Sequence, residues 1–296
     1  MILQYKSTYN IRVVNLSFNS TVAESYLTSP LNAAVEILWF NGIVVVVSAG
    51  NNGTATLYPP ANDPFVITVG AADDKGTASI VDDTVAPFSA YGTTLDGFAK
   101  PDLVAPGRHI VSLLAANSTF QAERPGNIVD TKHFRMSGTS TSAPIVAGAV
   151  ALLLQDEPNL TPDQVKYRLM ATANKNWAGY NATKAGAGYL DAYAAVYGTT
   201  TQSANTGIYA SRLLWTGPTP VTWGSVSWNS VSWNSVSWNS VSWNSVSWNS
   251  VSWNSDYWES PPSARSGDLD EMLTTEEVIT DNPAQSHIVL LPLVAR

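Results

Sequence analysis

Residues 136–154 read Met-Ser-Gly-Thr-Ser-Thr-Ser-Ala-Pro-Ile-Val-Ala-Gly-Ala-Val-Ala-Leu-Leu-Leu, a small and polar start followed by an almost pure run of Ala, Val and Leu. The run is apolar on every side, which predicts a helix in the middle of a sizeable domain. Pro144 is expected in the first helical turn, where a missing N–H does little harm. Ser140 lies where a loop enters this helix. The pattern leaves two roles open for it, an ordinary N-cap or a nucleophile at the positive end of the helix dipole.

The segments upstream of this helix predict a parallel sheet. Residues 11–18 are typical of a strand, and the β-branched run at 43–48 is typical of a strand buried on both faces. Residues 30–41 between them predict a helix, so the three segments form a βαβ unit. The expected fold class is therefore α/β, a parallel sheet with helices on both faces. Its polar strand ends, Asn15-Leu-Ser17 and Gly50-Asn51, fall at the carboxyl edge of the sheet, where such sheets bind ligands.

The composition fits one large core and excludes several function classes. Of the 296 residues, 45% are hydrophobic and 13% are charged. The net charge of −8 argues against a nucleic-acid partner, and the lack of Cys excludes disulfides and Cys-based metal sites. No apolar run is long enough to span a bilayer. The N-terminus, Met-Ile-Leu-Gln-Tyr-Lys, lacks the pattern of a signal peptide.

Three segments resemble one family, the subtilisin-like serine proteases, or subtilases. Residues 138–148, Gly-Thr-Ser-Thr-Ser-Ala-Pro-Ile-Val-Ala-Gly, resemble the family's Ser signature. Residues 44–51 resemble the segment that ends in the oxyanion-hole Asn, and residues 13–17 resemble the strand that lines the substrate cleft. Supporting matches are residues 66–71, 101–107 and 186–188. The resemblance covers about residues 5–198 and implies a subtilisin-like domain that is present in part.

The resemblance also implies roles for individual residues. Ser140 would be the nucleophile that forms an acyl-enzyme, and the Asn51 side-chain amide would hold the oxyanion together with the Ser140 backbone N–H. The substrate would lie as an added strand across the cleft. The residues expected to contact it are Ser17, Phe18, Ala49, Gly50, Gly138 and Thr139.

The sequence departs from the family in its acid and base residues. The family's triad runs in the order Asp, His, Ser, and its Asp and His motifs precede the strand that residues 13–17 resemble. The three histidines, His109, His133 and His287, all follow Asn51, and none is followed by Gly-Thr. We therefore expect none of them to replace the base. The chain is expected to correspond to the C-terminal part of a subtilase domain and, made alone, to hydrolyse no peptide.

One smaller departure from the family concerns the pocket, and a separate question concerns calcium. Asn19 stands where the family usually has Gly at or next to this site, close to the substrate backbone. Calcium is common in the family, and four acidic residues cluster in one loop region. We expect this cluster to be solvated rather than metal-bound, so no cofactor is expected, with calcium as the alternative. The cluster comprises Asp73, Asp74, Asp82 and Asp83.

The predicted organisation has four parts. They are a partial subtilase catalytic domain (1–198), a linker (199–224), Ser-Val-Ser-Trp-Asn repeats (225–255), and an acidic linker with a short apolar C-terminus (256–296). The pentapeptide occurs six times in a row, and 9 of the 11 Trp follow residue 200. A period of five gives the Trp side chains no common face in a strand or a helix, which favours a low-complexity segment. The alternative is an aromatic ladder that binds a polysaccharide or a cell surface.

Two functions therefore remain open. The first is a serine endopeptidase that acts on proteins or peptides, with an extracellular or cell-surface location implied by the resemblance alone. The second is a non-catalytic remnant whose Trp-rich tail does the binding.

Overall fold

The computed structural model describes residues 2–215 and Gly217, without the side chain of Phe120. Within this part of the chain the strands are β1 (Val13–Leu16), β2 (Val44–Ser48), β3 (Ile67–Asp73), β4 (Thr84–Val85), β5 (Gly92–Thr93), β6 (Ala99–Lys100), β7 (Leu103–Pro106), β8 (Ile110–Leu113) and β9 (His133–Met136). The α-helices of the same part are α1 (Ile2–Tyr9), α2 (Pro30–Phe40), α3 (Thr119–Glu123), α4 (Thr139–Asp156), α5 (Pro162–Thr172), α6 (Ala182–Ala185) and α7 (Ala192–Val196).

The central sheet is parallel, as the sequence predicts. β1 pairs with β2, β2 with β3, and β3 with β7, all in parallel, while β4 pairs antiparallel with the end of β3. Two separate ribbons, β5–β6 and β8–β9, lie outside this sheet. Every residue of β2 and β3 is buried, which requires cover on both faces. The α/β fold class is therefore confirmed.

The helix that carries Ser140 packs across the sheet and contacts β1, β2, β3 and β7. Its buried face includes Ala143, Val146 and Val150, which belong to the main core. The prediction that this helix is surrounded on every side is wrong at Leu152, which is 54% exposed. None of the described helices is long and apolar enough to cross a membrane.

Residues 199–215 pack back onto the domain, and we call them the C-terminal strap. The Ser211 N–H donates to Glu36 Oε2 at 2.7 Å, and Leu214 packs against α2. Further bonds tie the strap to α5: Arg168 donates to the Thr200 carbonyl, and the Ala204 N–H donates to the Asp163 carbonyl. The sequence predicts a linker over 199–224, whereas the strap makes contacts typical of a domain. The repeats and acidic C-terminus predicted over 225–296 lie outside the described residues.

Candidate active site

Ser140 lies in the first turn of α4, with its side chain half-buried. The N-cap of α4 is Gly138, so the interpretation of Ser140 as an N-cap is wrong. No hydrogen bond from the Ser140 hydroxyl occurs to any residue that the structure describes. The Ser140 N–H, in the first helical turn, has no intrahelical carbonyl to bind. Both groups are therefore available to a ligand at the start of the helix.

Asn51 follows β2 and faces the start of the same helix. Its Oδ1 accepts two hydrogen bonds from Thr139, one from the backbone N–H at 2.8 Å and one from the hydroxyl at 2.9 Å. The Thr139 hydroxyl in turn accepts the Gly50 N–H at 3.1 Å. These bonds fix which way the Asn51 amide points.

The other end of the Asn51 amide is a buried donor without an acceptor. Asn51 Nδ2 has no hydrogen-bond partner among the described residues, although the atom is buried. Buried polar atoms are nearly always paired in native proteins, so an unpaired one at a cleft indicates a place for a ligand atom. The ligand atom must be an acceptor, because a side-chain amide nitrogen only donates.

Pro144 and Ser17 connect Ser140 to β1. Pro144 lies beyond the first turn of α4, one turn later than predicted, and it has no N–H to donate to the carbonyl of Ser140. The Ser17 hydroxyl donates to that carbonyl instead, at 3.1 Å, and itself accepts from Asn15 Nδ2 at 2.9 Å. The loop after β1 is thus tied directly to the backbone of Ser140.

The remaining predicted contact residues line the same region. Ala49 is fully buried, and its N–H donates to the Val69 carbonyl at 2.9 Å. Gly50 has a φ of 110°, a conformation that favours glycine, and its carbonyl accepts the Ala90 N–H. The Gly138 N–H donates to the Gly107 carbonyl at 2.8 Å. Phe18 is half-buried beside Ser17.

Asn19 lies between the carboxyl ends of β1 and β2. Its Nδ2 donates to the Ser48 carbonyl at 2.9 Å, and the side chain is only 5% exposed. A Cβ on Gly50 would lie 3.5 Å from Asn19 Oδ1. The side chain therefore occupies space that a Gly at this position would leave empty.

The two histidines among the described residues form hydrogen bonds with residues other than Ser140. His133 Nδ1 lies 2.8 Å from Asp130 Oδ2 on the ribbon that leads to α4. The His109 N–H donates to the Ser137 hydroxyl at 3.0 Å. No hydrogen bond joins either histidine to Ser140 within residues 2–215. Within these residues the structure therefore brings Ser140 and Asn51 together at the start of α4 without a histidine bonded to Ser140.

The acidic cluster is less solvated than the sequence predicts. Asp73 is 4% exposed and pairs with Arg108 and Lys75, while Asp83 is 1% exposed. Burial, together with nearby Asp74 and Asp82, raises the pKa of Asp83 to about 6. In the described part of the chain no group of three or more Asp, Glu, His or Cys is arranged to hold a metal ion. The preference for a cofactor-free site, with calcium as its alternative, stays a prediction.

Comparison with known proteins points to one family. A family model described as the subtilase family matches residues 3–190. Serine protease AprX of Bacillus subtilis (strain 168) is 46% identical over 171 residues, which is 57% of this chain and 38% of that protein. Thermophilic serine proteinase of Bacillus sp. (strain AK1) is 35% identical over 171 residues, covering 58% of this chain and 34% of that protein.

A solved structure supports the same likeness. The structure of fervidolysin from Fervidobacterium pennivorans, described as a keratinolytic enzyme related to subtilisin, matches with a TM-score of 0.53 at 30% identity. The match covers 68% of this chain and 29% of fervidolysin. The chain spans well under half the length of these relatives.

Proposed function

Because this chain belongs to the subtilase family, whose members are serine peptidases, we propose that it provides the nucleophile and the oxyanion hole of a serine endopeptidase. The observation that supports this most is the Asn51 amide. Its Oδ1 is held by Thr139, and its buried Nδ2 is left without an acceptor. A donor held in place before the reaction is what a developing oxyanion requires. The substrates in this proposal are proteins or peptides.

The reaction would proceed through an acyl-enzyme. The Ser140 hydroxyl oxygen attacks the peptide carbonyl carbon while its proton passes to a general base. The carbonyl oxygen becomes an oxyanion that accepts hydrogen bonds from Asn51 Nδ2 and the Ser140 N–H. The C–N bond then breaks, and the leaving amine takes the proton from the base. Water hydrolyses the resulting ester by the same steps, which frees Ser140 again.

The base and its carboxylate partner come, in this proposal, from polypeptide other than residues 2–215. Among these residues β1 pairs only with β2, so its other edge is free to accept a further parallel strand. Parallel strands end at the same edge of a sheet, and the loop after β1 is bonded to Ser140 through Ser17. A strand added beside β1 would therefore bring its carboxyl end close to the nucleophile. We infer that the 296-residue chain, made alone, hydrolyses no peptide.

A chimera with AprX tests this proposal. The AprX segment that precedes its matched region is joined ahead of the residue at which that match begins in this chain, and casein hydrolysis is compared with that of the 296-residue chain. We expect activity in the chimera, none after Ser140→Ala, and a fall of about 10²–10³-fold in kcat after Asn51→Ala, a magnitude that the subtilisin oxyanion-hole Asn itself has given.

Two results would count against the proposal. A folded chimera that is inactive would exclude Ser140 as the nucleophile. Hydrolysis by the 296-residue chain alone that Ser140→Ala abolishes would show that a base is already present within it.

The second candidate function concerns the Trp-rich tail. Binding to a cell surface or polysaccharide through residues 225–255 remains a proposal, because these residues lie outside the described part of the chain. The extracellular or cell-surface location is likewise a proposal, which rests on membership of the family.

A further inference from the structure

Two carboxyl groups that the proposed reaction does not use are buried together under the C-terminal strap. Glu36 lies in α2 and Asp63 in the loop before β3, and both side chains are 0% exposed. Asp63 is well bonded, since Oδ1 accepts the Phe65 N–H at 2.8 Å and Oδ2 accepts from Asn32 Nδ2 at 3.0 Å. Both groups are fully enclosed, so neither can be hydrated while the strap is in place.

Glu36 is only half satisfied by its neighbours. Its Oε2 accepts the Ser211 N–H of the strap at 2.7 Å. Its Oε1 has no donor among the described residues. Glu36 lies one turn of α2 after Asn32, whose amide donates to Asp63, so the two buried carboxyls are neighbours. Two facing carboxylates cannot donate to each other, whereas a carboxylic acid and a carboxylate can share a hydrogen bond. One proton between the two groups would supply the missing donor.

The surrounding charges do not neutralise Glu36. Tyr26 donates from its hydroxyl to the Tyr209 carbonyl of the strap, and its N–H donates to Asp96. Arg212 belongs to the strap itself, and its N–H donates to the Leu27 carbonyl. Lys100 and Lys166 lie nearer to Asp63, but their ammonium groups are bound by Asp102. Lys166 also donates to the carbonyls of Pro64 and Val66, and Asp163 lies beyond it on α5.

The protonated forms of both carboxyls are favoured by their surroundings. Burial, and next the charge of Asp63, raises the pKa of Glu36 well above its ordinary value. Burial likewise raises the pKa of Asp63 to about 6, against the opposing effects of its hydrogen bonds and the two lysines.

We propose that Glu36 and Asp63 share one proton beneath the strap, and that loss of this proton to solvent releases the C-terminal strap from the domain. After the proton leaves, two carboxylates face each other in an enclosed space with too few donors. Lifting the strap admits water to Glu36 and removes this penalty. The strap therefore works as a latch that is closed at acidic pH.

Opening the latch has two structural consequences. The strap forms one wall of a cavity of about 510 Å³, through Ser203–Thr206 and Ile208, and its release widens this cavity. The strap is also the last continuously described part of the chain before the Trp-rich repeats, so its release moves the point where the chain leaves the domain from residue 215 back toward residue 199. Neither consequence depends on Ser140, so this inference and the proposed peptidase function are tested independently of each other.

The direction of the pH effect follows from linkage. The closed state has the higher carboxyl pKa values, so it binds more protons than the open state. The favourable contribution to closing is therefore complete below the pKa values of the open state, and it is lost as the pH rises from those values through the pKa of the closed pair. Titration of Lys100 would have the opposite effect on closing. Burial lowers the pKa of Lys100 to about 8, so a rise in pH through that value removes a buried charge and stabilises the closed state. A loss of closure with rising pH thus identifies the carboxyl pair.

Hydrogen exchange of the full 296-residue chain between pH 5 and pH 9 tests the latch. Protection factors, which remove the intrinsic pH dependence of exchange, are measured for the amides of Ser211 and Leu214. We expect them to fall with rising pH at up to about tenfold per pH unit, the limit for one released proton. Protection in α4, at Val150 and Leu153, is expected to stay constant.

Three variants distinguish titration of the Glu36–Asp63 pair from other effects of pH on the protein. Glu36→Gln keeps both hydrogen bonds without a titrating proton, so strap protection should no longer depend on pH. Asp63→Asn removes the second negative charge and should keep the strap protected at pH 8; it also serves as the test if Glu36→Gln fails to fold. Asp156→Asn alters an exposed carboxylate and should leave the wild-type profile unchanged.

Three outcomes would overturn the inference. They are constant strap protection in the wild type across this pH range, an unchanged pH profile in a folded Glu36→Gln variant, and a parallel loss of protection in α4, which would mean global unfolding.

Discussion

Thr139 holds the candidate oxyanion donor in one orientation. Its hydroxyl donates to Asn51 Oδ1 and accepts the Gly50 N–H, so one fully buried side chain joins the start of α4 to the end of β2. The sequence motif indicates Thr139 only as a substrate contact. Its partners could not be predicted, because they are brought together by the sheet rather than by spacing along the chain.

Thr139→Val should destabilise the protein by about 1–3 kcal/mol, because it leaves the buried Gly50 N–H unpaired and removes one of the two hydrogen bonds that Asn51 Oδ1 accepts, while keeping the shape of the side chain. Urea unfolding measures this free energy. Thr139→Ser is the control, since it keeps the hydroxyl and loses one buried methyl, at about 0.8 kcal/mol. Equal effects of the two substitutions would contradict a role for the hydroxyl.

Ser17 and Pro144 should be coupled, because Pro144 leaves the Ser140 carbonyl free for the Ser17 hydroxyl. Ser17→Ala is expected to lower the free energy of unfolding by about 1 kcal/mol in the wild type. In a Pro144→Ala background, where the new residue has a backbone N–H that can bind that carbonyl, the same change should have almost no effect. A double-mutant cycle measures the difference. Additive effects would show that the two residues act separately.

At the scale of elements, regular segments could be predicted and the strap could not. The β-branched run at residues 43–48 is a local signal that predicts a strand, and the structure confirms it as β2. The strap has no periodic apolar pattern and is held by single bonds to distant residues. One local signal did exist: Glu36 is the only charged residue of α2 and lies on its buried face, and a buried acid requires a partner.

Lys166 joins three elements and should be sensitive to substitution. Its ammonium group pairs with Asp102 at 3.2 Å and donates to carbonyls at the entrance to β3. Lys166→Met should cost about 3–5 kcal/mol, because it leaves buried acceptors with one cation fewer. Lys132→Met, at an exposed position, should change the unfolding free energy by less than about 0.5 kcal/mol. Similar unfolding curves for the two variants would rule out this role.

At the scale of the whole molecule, the folded unit extends beyond the family match. The match ends at residue 190, yet the strap buries Ala210, Ser211 and Leu214 against the domain. The sequence indicates a boundary near residue 200 from composition, because the Trp-rich material begins after it. Composition reports a change in sequence and not the place where packing stops.

Truncation locates the end of the folded unit. A chain of residues 1–198 should be less stable than one of residues 1–217 by at least about 3 kcal/mol, since it loses the burial of Leu214 and the donor to Glu36. Thermal and urea unfolding of the two truncated chains would decide this, and equal stability of the two would refute a structural role for the strap.

The central claim is that the Ser140 hydroxyl is the nucleophile, and covalent labelling tests it most directly. The AprX chimera is treated with a fluorophosphonate, and the modified residue is mapped by mass spectrometry. One adduct on Ser140 is predicted, formed in step with loss of casein hydrolysis and absent after Ser140→Ala. An adduct on another residue, or loss of hydrolysis without modification of Ser140, would contradict the account.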